Sequence, residues 1–148
     1  MAGEKTMRVH LSQVGAAAFE ATAGSGGHLV VDGAPEIGGE GRGMRPMELL
    51  LASVASCSAM DVLHILRKQK EPLEHLAIEI EGARPDAIPS PYSQMKLVFV
   101  VRGAVDRHKL ERAVGLAVEK YCSAIATLAP GVTVTWEARG EPSANQRV

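Results

Sequence analysis

A chain of 148 residues that is 46% apolar and 22% charged has the make-up of one globular domain, long enough to bury about two thirds of its unfolded surface. Its net charge of −1, from 16 basic and 17 acidic residues, leaves no basic footprint for nucleic acid; aromatics at only 3% argue against base stacking and leave the core to Leu, Val, Ile, Ala and Met. The N-terminus lacks an apolar leader pattern, and Glu48, Asp61, His64 and Arg67 interrupt the longest apolar run, so the expectation is a cytoplasmic protein with no nucleic-acid and no membrane partner.

In chain order, Met7, Val9 and Leu11 alternate with Arg8, His10 and Ser12 as a first strand. Residues 17–23 and 28–31 suit a second and a third strand, parted by the turn-forming Gly24-Ser25-Gly26-Gly27. The three form an antiparallel N-terminal sheet. Residues 32–45 hold five glycines and a proline, which predicts a mobile surface loop. From Pro46 to Lys70 neither Gly nor Pro intervenes, giving a helix of about 24 residues, roughly 36 Å long. It is apolar on nearly every side for two thirds of its length, which predicts burial all round; Arg67, Lys68 and Lys70 suit its C-terminal end.

Pro72 closes the helix, and residues 73–83 and 94–101 alternate as two strands of a hairpin, with a proline-containing loop between them. Asp106 is placed to cap a second helix on which Leu110, Val114, Ala117 and Tyr121 recur at helical spacing. Cys122 follows at its end or at a break, before a short helical piece over 123–128, and Val132 to Trp136 reads as a last strand. The order βββ-α-ββ-α-β describes a single α+β domain over 1–148 built of antiparallel sheets, with flexible tails at 1–6 and 140–148. A helix this apolar is hard to bury in one small chain, which points to a homodimer.

Two cysteines are present, Cys57 inside the apolar helix and Cys122 far along the chain, the pattern of a thiol enzyme with a reacting and a resolving sulfur. In a reducing compartment they are reduced or cycling rather than a permanent staple. Asp61 and His64 lie four and seven residues beyond Cys57 on one helix face. Seven residues rise about 10.5 Å, whereas a base must approach its nucleophile to about 3 Å, so a Cys-His hydrolase is excluded. The histidines and cysteines show no zinc spacing, and neither a metal nor a cofactor is expected.

The run Arg45-Pro46-Met47-Glu48-Leu49-Leu50-Leu51-Ala52-Ser53-Val54-Ala55-Ser56-Cys57 resembles the signature segment of the OsmC/Ohr superfamily, in which a proline opens the central helix and the reactive cysteine follows eleven residues later. Val118-Glu119-Lys120-Tyr121-Cys122-Ser123-Ala124-Ile125 resembles that family's second signature. The resemblance implies an intertwined homodimer reducing organic hydroperoxides at the subunit interface with an external dithiol reductant, in oxidative-stress protection. It also implies Cys57 as the peroxidatic nucleophile, Cys122 as the resolving thiol and Glu48 as the carboxylate that orients an activating arginine. Met47 stands where the hydroperoxide-resistance branch has its carboxylate, with Glu48 one later, and Gly24-Ser25-Gly26-Gly27-His28 lacks that branch's arginine. The pattern therefore resembles the less characterised OsmC-like branch.

Blander readings stand beside these. Cys57 is also a small packing residue. Its activation would need a nearby cation, for which Arg42 and Arg45 are nearest in sequence. Glu48 could equally serve the first turn of the helix, and it lies about half a turn round from Cys57. Met44, Met47 and Met60 suit either an apolar substrate pocket or gaps in a dimer core. The alternative to a peroxidase is a non-catalytic dimer that binds an apolar small molecule in the interface cleft.

Overall fold

The computed structural model describes residues 3–146. They fall into two compact units, one reaching Leu50 and the other starting at Leu51.

The first unit is an antiparallel sheet of β1 (Val9–Gln13), β2 (Ala18–Ala23) and β3 (His28–Asp32). Gly26 at φ +96° turns β2 into β3, a conformation that side chains resist. The register sets Leu11 opposite Ala21 and Ala21 opposite Leu29, and Phe19 opposite Val31. Since strand side chains alternate, one face carries Val9, Leu11, Phe19 and Leu29, all exposed to solvent.

The loop after β3 is tied down rather than loose. The buried Asp32 carboxylate accepts hydrogen bonds from the backbone N–H groups of Gly33, Glu40 and Arg42 at 2.8, 2.9 and 3.0 Å, and these bonds hold its pKa below the usual carboxylate value. Gly43 passes so close to β3 that an added Cβ would lie 1.9 Å from the Val30 carbonyl oxygen.

Helix α1 (Pro46–Lys68) follows. Proline opens it with φ already set, and Glu48 reaches back to accept from the Arg45 backbone N–H at 2.9 Å, the acidic half of a capping box. Its apolar stretch, of mean hydropathy 1.8, has the length and composition of a membrane-crossing helix, a profile that core helices share. The expected burial all round is not found within the chain: Val54, Ala55, Ser58, Val62 and Leu66 are buried, whereas Leu50 and Met60 are exposed. Their spacing of three and four residues makes one stripe, so a single chain covers a single face.

In the second unit β4 (Leu73–Ala83) pairs antiparallel with β5 (Gln94–Gly103). The strand β6 (Thr133–Glu141) pairs with β5 in parallel, which corrects the all-antiparallel expectation. The helical segment between β5 and β6 is the crossover that a parallel pair requires. Alternate residues of the central β5, Met95, Leu97, Phe99 and Val101, are fully buried. Asp106 caps α2 (Arg107–Leu116) by accepting from the Lys109 backbone N–H at 2.9 Å. Glu71, just past α1, takes the Lys109 ammonium at 2.8 Å and the Asp106 N–H at 3.1 Å, clamping the start of α2. A single π turn, Ala117–Tyr121, then leads through Cys122 into α3 (Ser123–Thr127).

Of the residues expected as tail, Gly140 and Glu141 complete β6, and beyond them the Ser143 hydroxyl and the Ala144 N–H both donate to Glu74. The expected tail residues 1–2 and 147–148 lie outside the described residues.

Candidate functional site

The second unit brings its two cysteines together. Cys57 is half-buried and Cys122 buried, both as free thiols. Cys122 sits where the π turn ends: the turn's backbone closes from the Cys122 N–H to the Ala117 carbonyl at 2.9 Å, and π turns of this kind recur at functional sites. Its sulfur faces α1, donating to the Val54 carbonyl oxygen at 4.0 Å and accepting from the Ile125 backbone N–H at 3.4 Å. The Cys57 thiol is its neighbour, near enough to act on its pKa.

Burial pushes the Cys122 thiol above its usual pKa and the neighbouring Cys57 adds to the rise, against the Ser58 hydroxyl and the Ile125 N–H, which pull it down. Ser58 Oγ is fully buried with no hydrogen bond of ordinary geometry among the described residues; it acts on Cys122 as a neighbouring dipole. The balance keeps Cys122 as the neutral thiol at neutral pH. Partial exposure of one sulfur and burial of its neighbour permit attack on an external molecule by Cys57, with Cys122 held behind it.

The other residues singled out in the sequence sit apart from this pair in role. Glu48 is engaged with the Arg45 backbone. The Arg42 guanidinium donates to the Val14 carbonyl at 2.8 Å and stands beside Asp32, organising the first unit. Tyr121, at helical spacing from the buried Leu110, Val114 and Ala117, is exposed.

A groove of about 410 Å³ is lined by Asp61, His64, Ile65, Lys68, Gln69 and Tyr121. From Cys57 the residues Asp61, His64 and Lys68 follow at four, seven and eleven positions, one stripe of α1, and Tyr121 on the opposite side directly precedes Cys122. The spacing of Asp61 and His64 was legible in the sequence, where it suggested a base for Cys57 or a metal site. Ser58 carried no signal beyond being a small polar residue in an apolar helix. Among the described residues no cluster of three or more His, Cys, Asp or Glu side chains is arranged to hold a metal ion.

The family model described as OsmC-like protein matches residues 39–137, a span that includes both cysteines. Protein YhfA of Escherichia coli (strain K12) is 28% identical over 130 residues, covering 87% of this chain and 94% of its own. A hypothetical protein of Aquifex aeolicus VF5 has a crystal structure superposing with a TM-score of 0.78 at 34% identity, over 93% of this chain and 99% of the other. The organic hydroperoxide resistance protein OhrB of Bacillus subtilis shares the fold, with a TM-score of 0.65 at 22% identity over 91% and 98% of the two chains.

Proposed function

The chain belongs to the OsmC family, and from that premise we propose that it is a thiol peroxidase reducing organic hydroperoxides, with Cys57 as nucleophile and Cys122 as resolving thiol. The observation that carries this reading is the contact between a half-buried and a buried thiol. The hydroperoxide resistance named for OhrB of Bacillus subtilis supports the substrate class.

The Cys57 thiolate attacks the terminal oxygen of the hydroperoxide. The O–O bond breaks, the alkoxide takes a proton and leaves as alcohol, and Cys57 becomes a sulfenic acid. The Cys122 sulfur then attacks Cys57, its proton and the hydroxyl leave as water, and a disulfide forms. An external dithiol restores both thiols and is itself oxidised. Glu48 is a positioning residue in this scheme, fixing the first turn of the helix that carries Cys57.

We also propose a homodimer. Val9, Leu11, Phe19 and Leu29 on one face of β1–β3 are exposed, as are Leu50 and Met60 on α1; bare apolar faces favour a partner, and a second copy offers the same patches. The alternative, a non-catalytic binder of an apolar molecule, is disfavoured in the groove along α1 by the charged Asp61 and Lys68 and by His64.

Mass spectrometry after one equivalent of cumene hydroperoxide tests the scheme. A Cys57–Cys122 disulfide is expected, and a Cys57 sulfenic or sulfinic acid with Cys122 still reduced would remove Cys122 from it.

A further inference from the structure

One buried polar group on α1 stays unused while both cysteines are reduced. Ser58 directly follows Cys57 and is fully buried, on the covered stripe of the helix with Val54, Val62 and Leu66. Among the described residues its hydroxyl has no hydrogen bond of ordinary geometry. A helical serine can turn back to the carbonyl four residues earlier, which here is that of Val54, and the Cys122 thiol donates to that carbonyl at 4.0 Å. The Cys122 sulfur thus lies on the turn of α1 that leads to Ser58, near enough for the hydroxyl to act on its pKa. A buried donor left unpaired costs stability. The sulfur of a neutral thiol is too weak an acceptor to offset that cost, whereas a thiolate is a strong one.

We propose that Ser58 is a positioning residue for the resolving step, its hydroxyl unpaired in the reduced protein and donating to the Cys122 sulfur as negative charge develops there. The inference rests on the resolving role given to Cys122 above and names the group that lets a buried sulfur ionise. Cys57 is the titratable group that acts on Cys122. Val54 and Ile125 meet the sulfur with backbone atoms, and the side-chain donor beside it is Ser58. In resolution Cys122 gives up its proton and its sulfur attacks the sulfenic sulfur of Cys57. The S–S bond forms, the S–O bond breaks, and hydroxide leaves with that proton as water. Ser58 keeps its own proton throughout. In regeneration one thiolate of the external dithiol attacks Cys57, and Cys122 leaves as a thiolate towards the Ser58 hydroxyl and is then protonated. The second thiol of the reductant displaces Cys57 from the mixed disulfide and closes the oxidised reductant. A donor that stabilises the charged transition state, and neither neutral end state, speeds both directions equally and leaves the equilibrium unmoved.

Dipyridyl disulfide reads these steps without any peroxide. In the full-length reduced protein Cys57 releases one pyridinethione on forming a mixed disulfide, and Cys122 releases a second on closing the Cys57–Cys122 bond. In Ser58→Ala the first release is expected at the wild-type rate. The second is expected at about one third of it at pH 7, since roughly half of a tenfold effect on the thiolate, on a logarithmic scale, is felt in the transition state. Reduction of the closed disulfide by dithiothreitol is expected to slow by the same factor, with the reduction potential unmoved. Alanine favours the helix and removes an unpaired hydroxyl, so urea unfolding of the reduced variant is expected to show stability equal to or above that of the wild type. An unchanged second release would overturn the proposal. Slower closure with unslowed reduction and a shifted potential would also overturn it, as a change of reach, and so would a less stable variant, as a hydroxyl already satisfied in the reduced protein. A wild type that releases a single equivalent would overturn it together with the resolving role of Cys122. Cumene hydroperoxide left unconsumed while both releases proceed would sink the peroxidase reading alone, with the Ser58 effect on closure still standing.

Discussion

The Cys122 thiol donates to the carbonyl oxygen of Val54 across 4.0 Å, and Val54 stands one helical turn before Cys57. The buried sulfur is thereby anchored to the turn of α1 that carries the half-exposed one, with Ile125 N–H behind it at 3.4 Å. This anchoring places the neutral thiol where a sulfenic acid on Cys57 would form.

The anchoring predicts an alkaline limit on stability. Burial, with the neighbouring Cys57 adding to it, raises the folded pKa of Cys122 above 9.0, so as pH rises the unfolded chain gives up this proton first. The stabilisation is complete below about pH 9 and is lost as pH climbs through the higher folded value. Urea unfolding of the reduced protein is expected to show Cys122→Ala less stable at pH 7 by roughly 1 kcal/mol, with the two proteins converging above pH 9. Parallel curves across that range would contradict the burial argument.

Asp32 predicts an acid limit in the other unit. Its folded pKa lies below 3.8, held down by the Arg42 and Glu40 backbone N–H groups first. That contribution is present above the unfolded value and fades as pH falls through the folded one. Asp32→Asn is expected to cost about tenfold in hydrogen-exchange protection at the amides of Glu40 and Arg42 near neutral pH, with the difference shrinking below pH 3.8. Unchanged protection at both amides would show that the loop has other supports.

The Glu71–Lys109 clamp makes a two-sided prediction. Glu71 is held below 4.5 chiefly by Lys109, and Lys109 above 10.5 chiefly by Glu71. The carboxylate's contribution is lost as pH falls below 4.5, and the ammonium's as pH rises above 10.5. The melting temperature of Glu71→Gln is expected to lie below that of the wild type by a few degrees between those limits and to approach it outside them. A difference independent of pH would assign the effect to packing.

The bare sheet face predicts the assembly. Val9 is 61% exposed and Leu11 52% exposed on the face they share with Phe19 and Leu29. Leu11→Asp is expected to convert a dimer to a monomer in light scattering, because a charge buried at an apolar contact goes unpaired. A wild type that is monomeric at micromolar concentration would remove the dimer.

Much of this architecture was legible in the chain. Pro72 and strict alternation bounded β4 at Leu73–Ala83, and Asp106 announced its own helix. Strand direction was not legible, because alternation is the same for parallel and antiparallel neighbours; only the crossover through α2 decides it for β6. The Asp32 turn escaped notice because its partners are backbone groups up to ten residues away, and backbone donors carry no sequence signature. Both cysteines were singled out by their settings, yet their contact depends on the π turn before Cys122, which helical periodicity does not encode. Glu48 allowed two roles on sequence grounds, and the structure engages it with the Arg45 backbone.

The central claim is that Cys57 carries the chemistry. The direct measurement is consumption of cumene hydroperoxide by the wild type, Cys57→Ser and Cys122→Ser with dithiothreitol present. The account predicts steady turnover by the wild type, loss of at least a hundredfold in Cys57→Ser because no nucleophile remains, and a single stoichiometric turnover followed by slower cycling in Cys122→Ser. Turnover by Cys57→Ser equal to that of the wild type would contradict it.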